Sequence, residues 1–267
     1  MAEQFNASVP STARIWNYWV GGEDHFQADR DAGDAIREVV PYVATVAQLT
    51  RQFLIRAVTL LATEYGVRQF IDIGSGLPTA RNTHEVAQAV APQARVVYVD
   101  NDPQVISHAR SLLKGTAEGS VGYLQADLRD TATILAQAAR ELDLSRPVAV
   151  LLIQVLHFIP DSDDPHAVVR RLMEPLAPGS YLALVHGASD IQSEVSAETS
   201  QRYNAVSPAQ MTLRGRQEVA RFFDGLQPVA PTRHPAGLVS GTEWLSAGES
   251  GDMPGISFGY NGIARKT

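Results

Sequence analysis

No cysteine occurs among the 267 residues. Disulfide frameworks, thiolate nucleophiles and cysteine-ligated zinc are thereby excluded. Lysine is almost as scarce: Lys114 and Lys266 stand alone, so arginine carries nearly all the positive charge. The formal net charge is −7, a poor match for general nucleic-acid binding, which uses a basic face. Apolar runs are short, and none approaches the roughly 18 residues of a membrane span. Glu3 and polar side chains occupy the start, where a secretory signal has basic residues and an apolar stretch. The expected location is the cytoplasm.

What is present is the makeup of a folded chain. Hydrophobic residues are 45% and charged residues 19%, enough for one large α/β domain at this length. Residues 1–40 read as an N-terminal helical arm or lid, with the aromatic patch Ile15, Trp16, Tyr18 and Trp19 ahead of Gly21 and Gly22, and then an acidic loop Glu23–Asp34. From Val43 to Thr63 apolar residues recur at helical spacing, and Gly66 supplies a stop.

Beyond it the pattern alternates. Strands are expected at Gln69–Ile73, Arg95–Val99, Val121–Gln125, Val148–Ile153 and Tyr181–Val185. Helices lie between them, at Asn82–Ala91 with a capping box from Asn82 to Glu85, after Asp102-Pro103, at Thr131–Leu142, and from Asp164-Pro165 to Met173. Strands apolar on both faces and joined by helices make a mostly parallel sheet covered on both sides. In the tail a helix is expected over Pro208–Phe223, a strand over Leu226–Ala230, a long Gly/Pro-bearing loop over 231–256, and a last strand over Ile256–Ala264. Residues 41–267 thus read as one domain behind the arm.

In such sheets ligands bind beyond the carboxyl ends of the strands. Asp72-Ile73-Gly74-Ser75-Gly76 follows the first strand, where glycines let the backbone come close to a ligand. Asp100 ends the second strand and is placed to accept hydrogen bonds from a ribose diol. The pair suggests a nucleoside. A dinucleotide fingerprint wants a third glycine where Thr79 stands, and Pro78 removes a backbone donor, which weakens a pyrophosphate cradle. Asp127, after the third strand, can accept from an exocyclic amine such as adenine N6.

This ordered set resembles the class I S-adenosylmethionine-dependent methyltransferases and, within them, the actinobacterial S-adenosyl methyltransferase family formerly described as a domain of unknown function. The resemblance is carried by Arg14–Gly22 with Asp24, Phe26 and Ala28-Asp29-Arg30, by Phe70–Thr79, Asn82–Glu85, Val97–Pro103 and Val155–Phe158, and by Arg221–Leu226. It implies a Rossmann-like, mostly parallel seven-stranded sheet flanked by helices, with S-adenosylmethionine as cofactor. By the resemblance Gly74, Ser75 and Gly76 line the methionine part, supported by Asp72. Asp100 takes the ribose, Asn101 the adenine face, and Asp127 with Leu128 the adenine edge. A departure is Leu77-Pro78 after Gly76, where many methyltransferases carry a third glycine.

Other residues keep two readings. Trp16, Tyr18 and Trp19 form a hydrophobic clasp, with Tyr18 a candidate cofactor contact. Gln154 is a candidate ligand contact past the fourth strand. His157, close by, is the expected general base, and a small molecule is the expected acceptor; a histidine satisfying a loop edge is the plain alternative, and His186 is the alternative base. The acids and histidine at Glu23-Asp24-His25, Asp29 and Asp31 lack the fixed spacing of a metal site. An NAD(P)-dependent oxidoreductase and a non-catalytic S-adenosylmethionine binder are the rival functions.

Overall fold

The computed structural model describes residues 6–229, 238–240 and 259–267. Two helices come first, α1 (Thr12–Trp19) and α2 (Gln27–Arg37), followed by the long α3 (Val43–Thr63). Strands β1 (Gln69–Ile73), β2 (Arg95–Asp100), β3 (Ser120–Gln125), β4 (Ala149–Ile153) and β5 (Tyr181–Gly187) then alternate with α4 (Thr83–Val90), α5 (Pro103–Leu112), α6 (Thr131–Ala138) and α7 (Pro165–Met173). After β5 come α8 (Ser193–Val206), α9 (Arg216–Ala220), β6 (Gln227–Pro228), β7 (Leu238–Ser240) and β8 (Gly259–Arg265).

One sheet holds all these strands in the order β3-β2-β1-β4-β5-β8-β6, with β7 also paired to β8. The first five run parallel, and β8 enters antiparallel to β5. β6 and β7 pair with successive stretches of β8, so they share one edge position and the sheet is seven strands wide. The order reverses between β1 and β4, each bonded to the other, so the tips of β1, β2 and β4 open onto a common crevice. One apolar layer packs on each face. Ile71, Ile73, Val97 and Val99 point to one, while Phe70, Val96, Tyr98 and Leu151 point to the other, against α3.

The cap-and-proline starts hold: Asp102 accepts from Gln104 N at 2.8 Å, and Asp164 from Ala167 N at 3.0 Å. Two expectations need correction. The acidic segment Glu23–Asp34 is a loop only to Phe26. Asp29 accepts from Phe26 N at 2.8 Å and from Arg14 Nε at 2.8 Å, which starts α2 and ties it to α1. Pro208–Phe223 is not a continuous helix. Arg214 bridges Ala188 and Thr212 N donates to His157 O at 2.7 Å, so the chain is held extended until Gly215 caps α9.

The helix lies earlier, at Ser193–Val206, a stretch of Ser, Thr, Glu and Asn with few apolar residues. Its hydroxyls bond back to carbonyls one turn earlier, Thr199 to Val195 O at 2.6 Å and Ser200 to Ser196 O at 3.0 Å, and Tyr203 is its large buried anchor. The expected 231–256 loop lies outside the described residues except for Leu238–Ser240, which form β7. Of the last expected strand, 256–258 also lie outside them. Among the described residues no helix is long and apolar enough to cross a membrane.

Candidate active site

The tips of β1 to β5 border a cavity of about 410 Å³, within the range of small-molecule sites. Its construction begins at Gly74. The chain turns there with φ of +73°, and a Cβ at this residue would come within 2.6 Å of Val155 Cγ2. The conformation and the close approach both exclude larger side chains. Gly74 N donates to Val99 O at 2.8 Å, Ser75 N to the same carbonyl at 3.3 Å, and Gly76 N to Asp100 Oδ2 at 2.9 Å.

These bonds decide what the loop can hold. All three amides are committed to the end of β2, so they form no cradle for a pyrophosphate. α4 starts at Thr83, and Asn82 and Glu85 cap each other at its end. A phosphate-binding turn runs straight into an open helix N-terminus; this one does neither. The loop instead fixes a carboxylate. Asp100 is 8% exposed, accepts from Gly76 N and from Asp102 N (3.0 Å), and borders the cavity. Each oxygen keeps a second lone pair, which suits the two donors of a ribose diol. Burial raises its pKa to about 6.

Asp72 lies deeper, accepts from Thr83 Oγ1 at 2.6 Å, and is likewise raised to about 6 by burial. Arg51 on α3 faces the same cavity and attracts Asp72; burial lowers the arginine's pKa. Its guanidinium donates to the carbonyls of Ala80 and Arg81 at 3.1 Å, holding the segment that follows the glycine turn.

Asp127, Leu128 and Asn101 border the same cavity as Gly74 and Asp100. Leu128 is buried and Asn101 exposed. Asp127 is already engaged: Arg129 reaches one oxygen at 2.8 Å through Nε and the other at 2.6 Å through Nη2, and holds the carboxyl below its usual pKa. The first oxygen, Oδ1, also accepts from Arg129 N at 2.8 Å, so the lone pair left for a ligand is on Oδ2. Gln154 sits at the tip of β4 with φ of +59°, a left-handed conformation uncommon outside glycine, and its N–H donates to Val185 O at 2.9 Å.

His157 borders the cavity from the short turn after β4 and is almost fully buried. Its Nδ1 has no hydrogen-bond partner. Burial, then the nearby His186 and Arg214, push its pKa well below the ordinary histidine value, so the ring is neutral at pH 7. His186 is not at the cavity wall; it lies behind His157 at a ring separation of 5.7 Å.

Tyr18 does not join the site. Its hydroxyl donates to Asp34 at 2.8 Å and its ring lies under Arg37. In α1, positions 15, 16 and 19 share one face while position 18 points away from it, so Trp16 and Trp19 border the cavity instead. The helix is anchored over the β2 tip, Ser11 Oγ donating to Asp102 at 3.2 Å and Arg14 Nη1 to Gln104 at 2.9 Å, and it meets α8 through Thr12 and Tyr203 at 2.8 Å. Among the described residues no group of three or more histidines and acids is arranged to hold a metal ion.

A family model described as S-adenosyl methyltransferase matches residues 1–267. Among solved structures, the chain is similar to a DUF574 family protein from Streptomyces avermitilis at 40% identity and a TM-score of 0.92, over 98% of this chain and 99% of that one. It is similar to a putative methyltransferase from Thermobifida fusca at 36% identity and a TM-score of 0.87, over 97% of this chain and 96% of that one. Human N-acetylserotonin methyltransferase, solved with S-adenosylmethionine, shares the fold alone at 13% identity and a TM-score of 0.50, over 89% of this chain and 57% of that one. No protein of curated function matches the chain. With a cavity at the strand tips and a whole-length family match, the chain belongs to the S-adenosyl methyltransferase family and is an S-adenosylmethionine-dependent enzyme of the class I fold.

Proposed function

We propose that the enzyme methylates a small molecule enclosed between the strand tips and the N-terminal arm, residues 1–40, with His157 as general base. The observation that carries this reading is the sharing of one cavity by Gly74, Asp100, Asp127 and the unpartnered His157. The residues fit the cofactor: a tight glycine turn packed on Val155, a carboxylate with spare lone pairs, and loop amides already committed to the end of β2. Asp100 would hold the ribose hydroxyls, Asn101 and Leu128 the adenine faces, Asp127 the exocyclic amine, and Gly74 to Gly76 with Gln154 the methionine end, with Asp72 and Arg51 beneath. When bound, S-adenosylmethionine supplies a methyl carbon whose bond to sulfur breaks with the electron pair kept by sulfur as the acceptor atom bonds to carbon.

What the chain contributes is position and a proton sink. Walls on both sides hold the acceptor at attack distance, which accounts for much of the rate gain in such a displacement. The neutral imidazole of His157 takes the proton that the acceptor loses, an effect worth about 10²–10⁴-fold. The same committed amides that suit a phosphate-free cofactor argue against the oxidoreductase reading.

Calorimetry with S-adenosylhomocysteine, together with turnover of His157→Ala on any accepted substrate, tests the proposal. Cofactor affinity within twofold of wild type and turnover reduced about 10²–10⁴-fold are expected. Collapsed affinity would place His157 in the cofactor pocket instead.

A further inference from the structure

The cavity has two kinds of wall. Its charged members, Asp72, Asp100, Asp102, Asp127 and Arg51, belong to the strand tips and to the segment of α3 beneath them. The opposite wall is built by α1, the start of α3, the turn after β4 and residues 208–213, and it presents Trp16, Trp19, Val46, Phe158, Met211 and Leu213. No charged side chain stands in that wall among the described residues. Its polar groups are spent locally: Tyr203 pairs with Thr12 at 2.8 Å, and Thr199 donates to Val195 O at 2.6 Å. Of the four buried polar side-chain atoms without a partner among the described residues, His157 Nδ1 alone belongs to a residue at the cavity.

From this wall, and given the methyl-transfer reading above, we infer that the acceptor is an uncharged, mostly apolar small molecule that presents a weakly acidic hydroxyl, as a phenol does, to His157. A carboxylate or an alkylammonium entering this chamber would leave water for a wall that offers no charged side chain and, beyond the single imidazole of His157, no unpartnered buried side-chain group, a costly transfer. A phenolic hydroxyl, with an ordinary pKa near 10, enters neutral. It supplies a partner to the orphaned imidazole, and its proton has somewhere to go as the oxygen acquires the methyl group. Flat aromatic rings also match the edge-to-face geometry that Trp16 and Trp19 already show, with centroids 6.0 Å apart.

The test uses the full chain saturated with S-adenosylhomocysteine and three probes of one ring size: 2-naphthol, 2-naphthoate and naphthalen-2-ylmethylammonium, each titrated by calorimetry. The naphthol should bind at least tenfold more tightly than either ion. Met211→Lys should weaken it at least tenfold, while Met211→Leu leaves it within twofold. Equal or tighter binding of either ion overturns the inference. So does absence of 2-naphthol binding to protein that still binds S-adenosylhomocysteine. Failure of S-adenosylhomocysteine itself to bind would instead sink the methyl-transfer reading. Should Met211→Lys not fold, the three-probe comparison on wild type decides alone.

Discussion

Arg214 donates from Nη1 to His186 Nε2 across 3.0 Å in the interior, and this bond fixes how the histidine carries its proton. His186 Nδ1 faces Gly187 O at 2.7 Å, and a carbonyl can only accept, so the proton is on Nδ1 and Nε2 receives the arginine. The ring is therefore neutral, consistent with a pKa pushed down to about 3, first by burial. The same guanidinium, 1% exposed, donates to Leu156 O at 3.1 Å, Ile159 O at 2.7 Å and Asp161 Oδ1 at 2.6 Å. It clamps both ends of the turn that carries His157.

Arg214→Met should remove that clamp. Two buried carbonyls and a histidine nitrogen lose their donor, at about 1–3 kcal/mol for each unsatisfied group, so urea denaturation should show a loss of at least ~2 kcal/mol. The pH profile separates a positioning role from mere destabilisation. Arg214 is one of the groups that hold His157 neutral, and without its charge protonation of His157 begins at higher pH. The acid limb of kcat should move upward. An unmoved limb with normal stability would show that the clamp does not act through His157.

On the proposed reading, Asp100 should govern the pH dependence of cofactor binding. Its pKa of about 6, raised by burial, means that acidification protonates it in the folded protein well above the usual carboxylate range. A protonated carboxyl loses acceptor capacity for the ribose. S-adenosylhomocysteine affinity should be flat above pH 7 and fall as pH drops below about 6. Asp72, also near 6, titrates in the same window, whereas Asp127 is held lower by Arg129 and stays ionised. Asp100→Asn should weaken binding by about 1.5–3 kcal/mol at pH 7.5 and flatten most of the slope. Calorimetry across pH 5–8 checks both, and a slope kept in full by Asp100→Asn would pass the effect to Asp72.

The folded-state stability has the opposite sign for these acids and for the buried histidines. Asp72 and Asp100 bind protons more tightly folded than unfolded, so they cost stability as pH rises from about 4 to about 6. His157 and His186 are held neutral when folded, and they cost stability as pH falls below their unfolded value near 6.5.

Gly74→Ala tests the cradle. Its Cβ would meet Val155 at 2.6 Å in a backbone conformation with φ of +73°, so overpacking of about 1–3 kcal/mol is expected. Adding Val155→Ala should restore part of that loss in thermal denaturation, leaving the backbone strain. Full additivity of the two changes would mean that the contact does not limit the site.

The parallel core and its strand-tip residues were legible because each is written locally. Apolar strands of five or six residues, Asp-Pro helix starts at Asp102 and Asp164, and the Asn82–Glu85 box all act within a few positions. Gly74, Asp100 and Asp127 could be placed in one crevice because strand order follows from the alternation. What failed depended on partners far along the chain. Asp29 caps α2 while binding Arg14, and α8 has too few apolar residues to show a period. Tyr18, a candidate cofactor contact within the aromatic patch, is turned by helix phase toward Asp34 and Arg37. Arg214 and Arg51 carry no motif; they matter because the fold brings β5 and the turn after β4 to Arg214, and Asp72 and the carbonyls of Ala80 and Arg81 to Arg51.

The short stretch from Asp100 to Gln104 serves two masters. Its first residue is the acid that meets the cofactor pocket, and its third and fifth receive Ser11 and Arg14 from the helix that closes the far side. A ligand that tightens this corner also settles the ceiling above the other compartment, so the two guests share a footing although they touch different walls. Mutual tightening, each ligand raising the other's affinity by the same factor, is the signature expected of such common ground.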